Sequence, residues 1–201
     1  SRFDPLSRTF SRPVKLDEDS KAVLADPETM VEDVKGNIWI KLLESGLLFR
    51  HNLKEQTTDC LNCNTGSALE GEKVNVLYKD QNNIVWLGTD SGLFYFNIES
   101  GTITEFDLPH GSNTTSVTDI EQGGASDLWV GTTVGLFRIK NGINGTIDVF
   151  KKEKDPFSIV SNFVKDLDWN GEKNELWIAT NDGMSRYVPK EDKFYNIQTT
   201  P

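Results

Sequence analysis

One pattern of apolar and polar positions is written four times along the chain. In its clearest copy Val74, Leu77 and Asp80 follow at spacings of three, then come Trp86-Leu87-Gly88-Thr89, Gly92-Leu93-Phe94 and Phe106. The next copy reads Val117, Ile120 and Gly123, then Trp129-Val130-Gly131-Thr132, Gly135-Leu136-Phe137 and Phe150. The last reads Val164, Leu167 and Asn170, then Trp177-Ile178-Ala179-Thr180, Gly183-Met184-Ser185 and Phe194-Tyr195. The first is the most worn, with Pro27, Met30 and Asp33, then Trp39-Ile40-Lys41-Leu42 and Gly46-Leu47-Leu48. Within each copy, short alternating runs bounded by Gly, Asn and Asp predict four strands, and no stretch keeps a helical period.

The aligned tryptophans stand 47, 43 and 48 residues apart. Four-stranded propeller blades recur at about that spacing. The expectation is an all-β chain, a partial β-propeller over 1–201: outer strands of a preceding blade at 1–16, then blades at 22–57, 70–107, 112–151 and 158–201. The opening half-blade is read from Phe3-Asp4-Pro5 and Phe10, spaced like Tyr187-Val188-Pro189 and Phe194. Four blades and a half predict part of a larger ring, a closed four-bladed ring, or an arc that pairs with a second copy through its apolar ends.

Each repeated position has a physical reason. Asp33 to Asn37 and Asp80 to Asn83 carry residues that tolerate positive φ, as a tight hairpin requires. Gly46, Gly92, Gly135 and Gly183 are expected in the second hairpin turn of each blade. Trp39, Trp86, Trp129 and Trp177 are expected between adjacent sheets as core, whereas Trp169 breaks the register and is not assigned to it.

Composition narrows the function. The chain has 201 residues and a net charge of -10, with no basic stripe to reverse it, so phosphate backbones and anionic lipid surfaces are unfavourable partners. No apolar run approaches the length of a membrane span. The two cysteines, Cys60 and Cys63, are either free or bridged to each other, and a bridge would imply an oxidising compartment. A zinc site would need two further ligands, with His51 the only nearby candidate. Asp168, Asn170, Glu172 and Asn174 alternate like a calcium loop, but Gly171 falls too early, and a long hairpin turn is expected. Asn113-Thr114-Thr115 and Asn144-Gly145-Thr146 fit a glycosylation acceptor, a pattern common by chance. No cofactor or metal is implied.

The phrase from Ile84 to Phe106, IVWLGTDSGLFYFNIESGTITEF, resembles the two-component regulator propeller repeat, and DLWVGTTVGLFRI and ELWIATNDGMSRY resemble further copies. The resemblance covers essentially the whole chain. It implies the periplasmic sensor of a hybrid two-component system, in which two seven-bladed propellers precede a β-sandwich, a membrane helix and a histidine kinase. It further implies an oligosaccharide ligand, a sensor that signals as a homodimer, and no catalysis in this segment. Kinase motifs are absent from these residues, Lys41-Leu42 stands where Gly-Thr is expected, and Ala179 stands for Gly.

In such a fold the turns between second and third strands share one face with the inter-blade linkers, here about 51–72, 107–116 and 151–161. The ligand candidates are therefore Lys41, Glu44, Asp90, Ser91, Thr133, Asn181 and Asp182. Carboxylates, amides and hydroxyls suit the paired hydrogen bonds a sugar offers. Two other functions compete: a protein-interaction scaffold, and a lyase of the streptogramin lyase type. The lyase would require a base, and His51 and His110, both expected in linkers, are the only histidines.

Overall fold

The computed structural model describes residues 2–4, 9–11, 26–63, 65–109, 115–124 and 126–197. Contacts divide the chain into two units, residues 1–70 and 71–201. In the first, β1 (Arg2–Asp4) and β2 (Thr9–Ser11) form a two-stranded antiparallel ribbon. A four-stranded meander follows: β3 (Pro27–Glu32), β4 (Asn37–Leu42), β5 (Leu48–Asn52) and β6 (Thr57–Cys60). Strand β6 runs through part of the expected 51–72 linker, because Thr-Thr-Asp-Cys lacks the aromatic residue that marks the outer strand in the other copies.

The second unit holds three more meanders in the same order. They are β7 (Val74–Lys79) to β10 (Thr102–Phe106), with β8 (Val85–Thr89) and β9 (Leu93–Asn97) between; β11 (Val117–Gly123), β12 (Asp127–Thr132), β13 (Gly135–Lys140) and β14 (Thr146–Phe150); and β15 (Val164–Asn170), β16 (Glu175–Thr180), β17 (Gly183–Val188) and β18 (Lys193–Ile197). The first strands β7, β11 and β15 lie beside one another, so they form the inner row of this unit.

The hairpin aspartates do more than permit a turn. Asp80 Oδ1 accepts the N–H groups of Asn82 and Ile84, at 2.9 and 2.8 Å, and Oδ2 accepts the indole N–H of Trp86 at 2.9 Å. Asp33 repeats this for Lys35, Asn37 and Trp39. One carboxylate thereby satisfies the turn and the buried tryptophan together.

Trp86 and Trp129 sit at sheet-to-sheet seams. Trp86 packs with Ile120, Leu128 and Val130 of the next sheet, and Trp129 with Leu167, Leu176, Ile178 and Tyr187 of the one after. Burying about 200 Å² of indole contributes roughly 5 kcal/mol as an upper bound. Close approach also explains the glycine of the Trp-x-Gly-Thr phrase. A β-carbon on Gly88 would lie 2.5 Å from Val117 Cγ1, and one on Gly131 2.7 Å from Val164 Cγ1.

Two tryptophans depart from expectation. Trp177 is only half-buried, and the register-equivalents of Leu93 and Leu136 and of Phe106 and Phe150 beside it, Met184 and Ile197, are 44% and 50% exposed. No described sheet of this unit covers that face of β15–β18. Trp169, conversely, joins the core around Trp129. In the third copy Gly123 stands in the aspartate position, so the Trp129 indole N–H has no acceptor, and the Trp169 ring closes over the gap instead. A side chain at 123 would strike both rings, at 2.6 and 2.8 Å.

Candidate functional site

Each turn between second and third strands is tied back to the residue preceding its sheet's first strand. Asp90 N–H donates to Lys73 O at 3.3 Å, Thr133 N–H to Ser116 O at 3.1 Å, and Asn181 N–H to Phe163 O at 3.1 Å. Thr89, Thr132 and Thr180 close these turns, their hydroxyls donating to the carbonyls of Gly92, Gly135 and Gly183. Five candidates, Asp90, Ser91, Thr133, Asn181 and Asp182, thus share one edge of residues 71–201, beside the inner row of strands.

The side chains there are held. Asp90 Oδ1 accepts from Asn75 Nδ2 at 2.8 Å and from Ser116 Oγ at 3.2 Å, while Asn75 Nδ2 also reaches Val117 O at 3.2 Å. This network spans the seam between the β7–β10 and β11–β14 sheets. Ser91 Oγ lies 3.3 Å from Thr89 Oγ1, and Asp182 lies 3.5 Å from Lys152 Nζ. Asn181 is exposed and Thr133 half-buried. On the same edge Phe163 is 37% exposed, offering an aromatic surface beside Asn181.

Lys41 and Glu44 belong to residues 1–70. Glu44 is exposed on the turn after β4, but Lys41 is buried, its ammonium paired with Glu28. Asn75, Ser116, Lys152 and Phe163 were not among the sequence candidates. The first two are legible only as neighbours of the repeated Val74 and Val117.

A second feature lies on the inner row. Asp119 and Glu121 of β11 and Asp166 and Asp168 of β15 alternate with the buried Ile120 and Leu167. Asp119 Oδ2 accepts the N–H of Leu167 at 2.7 Å, and Glu121 accepts that of Trp169. These carboxylates serve donors along the free edge of the next sheet's first strand. Burial and the neighbouring charges of Asp119, Asp168 and Asp166 push Glu121 up to about 7. Burial also raises Asp119.

His51 lies in strand β5 rather than in a linker. It is buried, its Nδ1 lies 2.9 Å from Thr58 Oγ1, and burial lowers its pKa. His110, Asn113 and Thr114 lie outside the described residues. Asn144, of the other acceptor pattern, sits in a short 3-10 turn. Cys60 and Cys63 are joined by a disulfide. Among the described residues no group of three or more His, Cys, Asp or Glu is arranged to hold a metal ion. Residues 171–174 form a hairpin turn in which Asn170 accepts the N–H of Lys173. A shallow cleft of about 390 Å³ opens at the opposite edge, among Asn82, Ile84, Ser126 and residues 141–144, and none of the candidates lines it.

This arrangement of repeated meanders with tryptophans at their seams matches solved structures. The fold is that of a β-propeller. The extracellular domain of a putative hybrid two-component system from B. thetaiotaomicron, BT4673, aligns at a TM-score of 0.62 and 20% identity, over 80% of this chain and 21% of that one. Virginiamycin B lyase from Staphylococcus aureus aligns at 0.61 and 16% identity, over 88% of this chain and 56% of the lyase. PorZ, a bacterial surface component of the type-IX secretion system of Porphyromonas gingivalis, aligns at 0.61 and 24% identity, over 90% and 28%. The propeller segment therefore spans about half of the lyase and a quarter or less of the sensor domain. No protein-family model and no curated protein matches the chain. Among the described residues no helix is long and apolar enough to cross a membrane.

Proposed function

We propose that this propeller segment belongs to the extracytoplasmic part of a hybrid two-component sensor, and that its turn-bearing edge takes an oligosaccharide. The observation that carries the reading is that edge itself. A carboxylate, an amide and a hydroxyl are held by mutual hydrogen bonds at Asp90, Asn75 and Ser116, with Asn181, Asp182 and the exposed face of Phe163 on the same edge. Sugars are recognised by such fixed polar groups together with aromatic stacking on the apolar face of the ring. The likeness to a sensor's extracellular domain supports the role, and the Cys60–Cys63 bridge supports an oxidising location.

On this reading the segment is non-catalytic and phosphotransfer belongs to other parts of the protein. Ligand seating favours one arrangement of paired sensors, and the membrane helices relay it. A lyase would need a base: His51 is buried within strand β5, and His110 lies outside the described residues.

A thermal-shift screen against oligosaccharides tests the proposal. A ligand at a hundredfold excess over its dissociation constant adds about 2.7 kcal/mol, which raises Tm by roughly 5 to 10 °C for a chain of this size. Asp90→Ala and Asn181→Ala should abolish the shift without lowering the unliganded Tm by more than about 2 °C. No shift with any glycan, together with a stable dimer, would favour the scaffold function.

A further inference from the structure

Three of the four sheets close the turn between second and third strands with a threonine, but in the β3–β6 sheet that position is Leu42. The turn there is longer: Leu42 N–H donates to Leu47 O at 3.0 Å and Gly46 N–H to Leu42 O at 3.2 Å, with Gly46 at φ 63°. Leu42 has no hydroxyl to offer the carbonyl of Leu47, which stands where Gly92, Gly135 and Gly183 stand in the other sheets. Asn62, which is 5% exposed, braces this longer turn instead, at the neighbouring carbonyl and from sixteen residues away. Its Nδ2 donates to Gly46 O at 3.0 Å, and its Oδ1 accepts the N–H of Leu48 at 2.9 Å.

Asn62 follows the end of β6 and lies inside the ring closed by Cys60 and Cys63. Leu61 N–H continues the ladder to Leu48 O at 2.8 Å, so the ring begins while the chain is still paired with β5. There the ladder ends, and without the cross-link the hydrogen bonds that hold Asn62 must compete with the entropy of ordering this short segment. Those terms are of similar size. A cross-link between the residues on either side removes most of that entropy before the bonds form.

We propose that the Cys60–Cys63 disulfide is the lock that keeps Asn62 in the turn of the first complete blade, so that this turn, with Glu44 on it, is finished only in the oxidised chain. The lock couples this turn, and the candidate Glu44 on it, to the redox state of the compartment. A dithiol opens it by exchange: the reagent's sulfurs join as its two hydrogens pass to Cys60 and Cys63. The lock stands independently of what the edge binds.

Amide hydrogen exchange at Leu48 reads the lock directly, in the oxidised protein, in protein reduced with a dithiol, in Cys60→Ser/Cys63→Ser and in Asn62→Ala. Exchange at Leu48 should quicken by roughly tenfold or more in the last three, while Ser91, Gly92, Val134 and Asp182 are unchanged. In Asn62→Ala the dithiol should have no further effect at Leu48. Equal exchange in the oxidised and reduced protein overturns the proposal, as does an Asn62→Ala protein that still responds fully to reduction. Faster exchange spread evenly over β3–β6 on reduction also overturns it, because the bridge would then hold the sheet rather than the turn.

Discussion

At the scale of single residues, two sets of carboxylates respond to pH in opposite senses. Burial pushes Asp33 up, but hydrogen bonds from Trp39, Asn37 and Lys35 outweigh it and leave its pKa lowered. The stability it contributes is present above the unfolded value of 3.8 and is lost as pH falls through the lower folded value. Glu121 is the reverse. Unfolded it ionises near 4.5, folded only near 7, so between these the native chain holds the extra proton and stability declines as pH rises. Glu121→Gln should flatten that decline and leave the protein about 1 to 2 kcal/mol more stable at pH 8, after allowance for solvent screening. Urea denaturation at pH 5 and pH 8 checks it, and an unchanged difference between the two proteins would contradict the assignment. Asp80→Ala strands two turn donors and the Trp86 indole, and should cost about 2 to 4 kcal/mol by the same measurement.

At the scale of the element, the Trp-x-Gly-Thr phrase resolves into three jobs: a seam filler, a gap for the next sheet's valine, and a hydroxyl that closes the turn. Gly131→Ala should therefore destabilise by about 1 to 3 kcal/mol through its collision with Val164, a cost that thermal melting reads as a lowered Tm. Ala179, one natural exception in residues 71–201, meets no such constraint, because no described sheet of its unit packs on that face. The strands and most turns were legible because their signals are local: alternation, an Asp-led hairpin, a glycine at the corner. What stayed hidden depends on partners distant in sequence. Nothing near Leu42 announces Asn62, and nothing in the register of Trp169 shows that it fills the space left by Gly123. The outer strand of the first sheet, expected within 22–57, falls at Thr57–Cys60 because no aromatic residue marks its place. The ligand edge was legible as a set of turns, but its Asp90–Asn75–Ser116 network joins residues from two copies of the repeat.

At the scale of the whole molecule, tryptophan burial gives a simple optical test of how the sheets are covered. Trp39, Trp86 and Trp129 are at most 1% exposed, whereas Trp169 and Trp177 are half-buried. Acrylamide should quench the emission of the last two, and Trp177→Phe should remove much of the quenchable fraction. The central claim is that ligand sits on the turn-bearing edge, and residue-resolved hydrogen exchange with and without a stabilising oligosaccharide tests it most directly. Protection should concentrate at 90–92, 133–134, 163 and 181–182. Protection at 82–84, 126 and 141–144 instead would place the ligand at the opposite cleft and contradict the account.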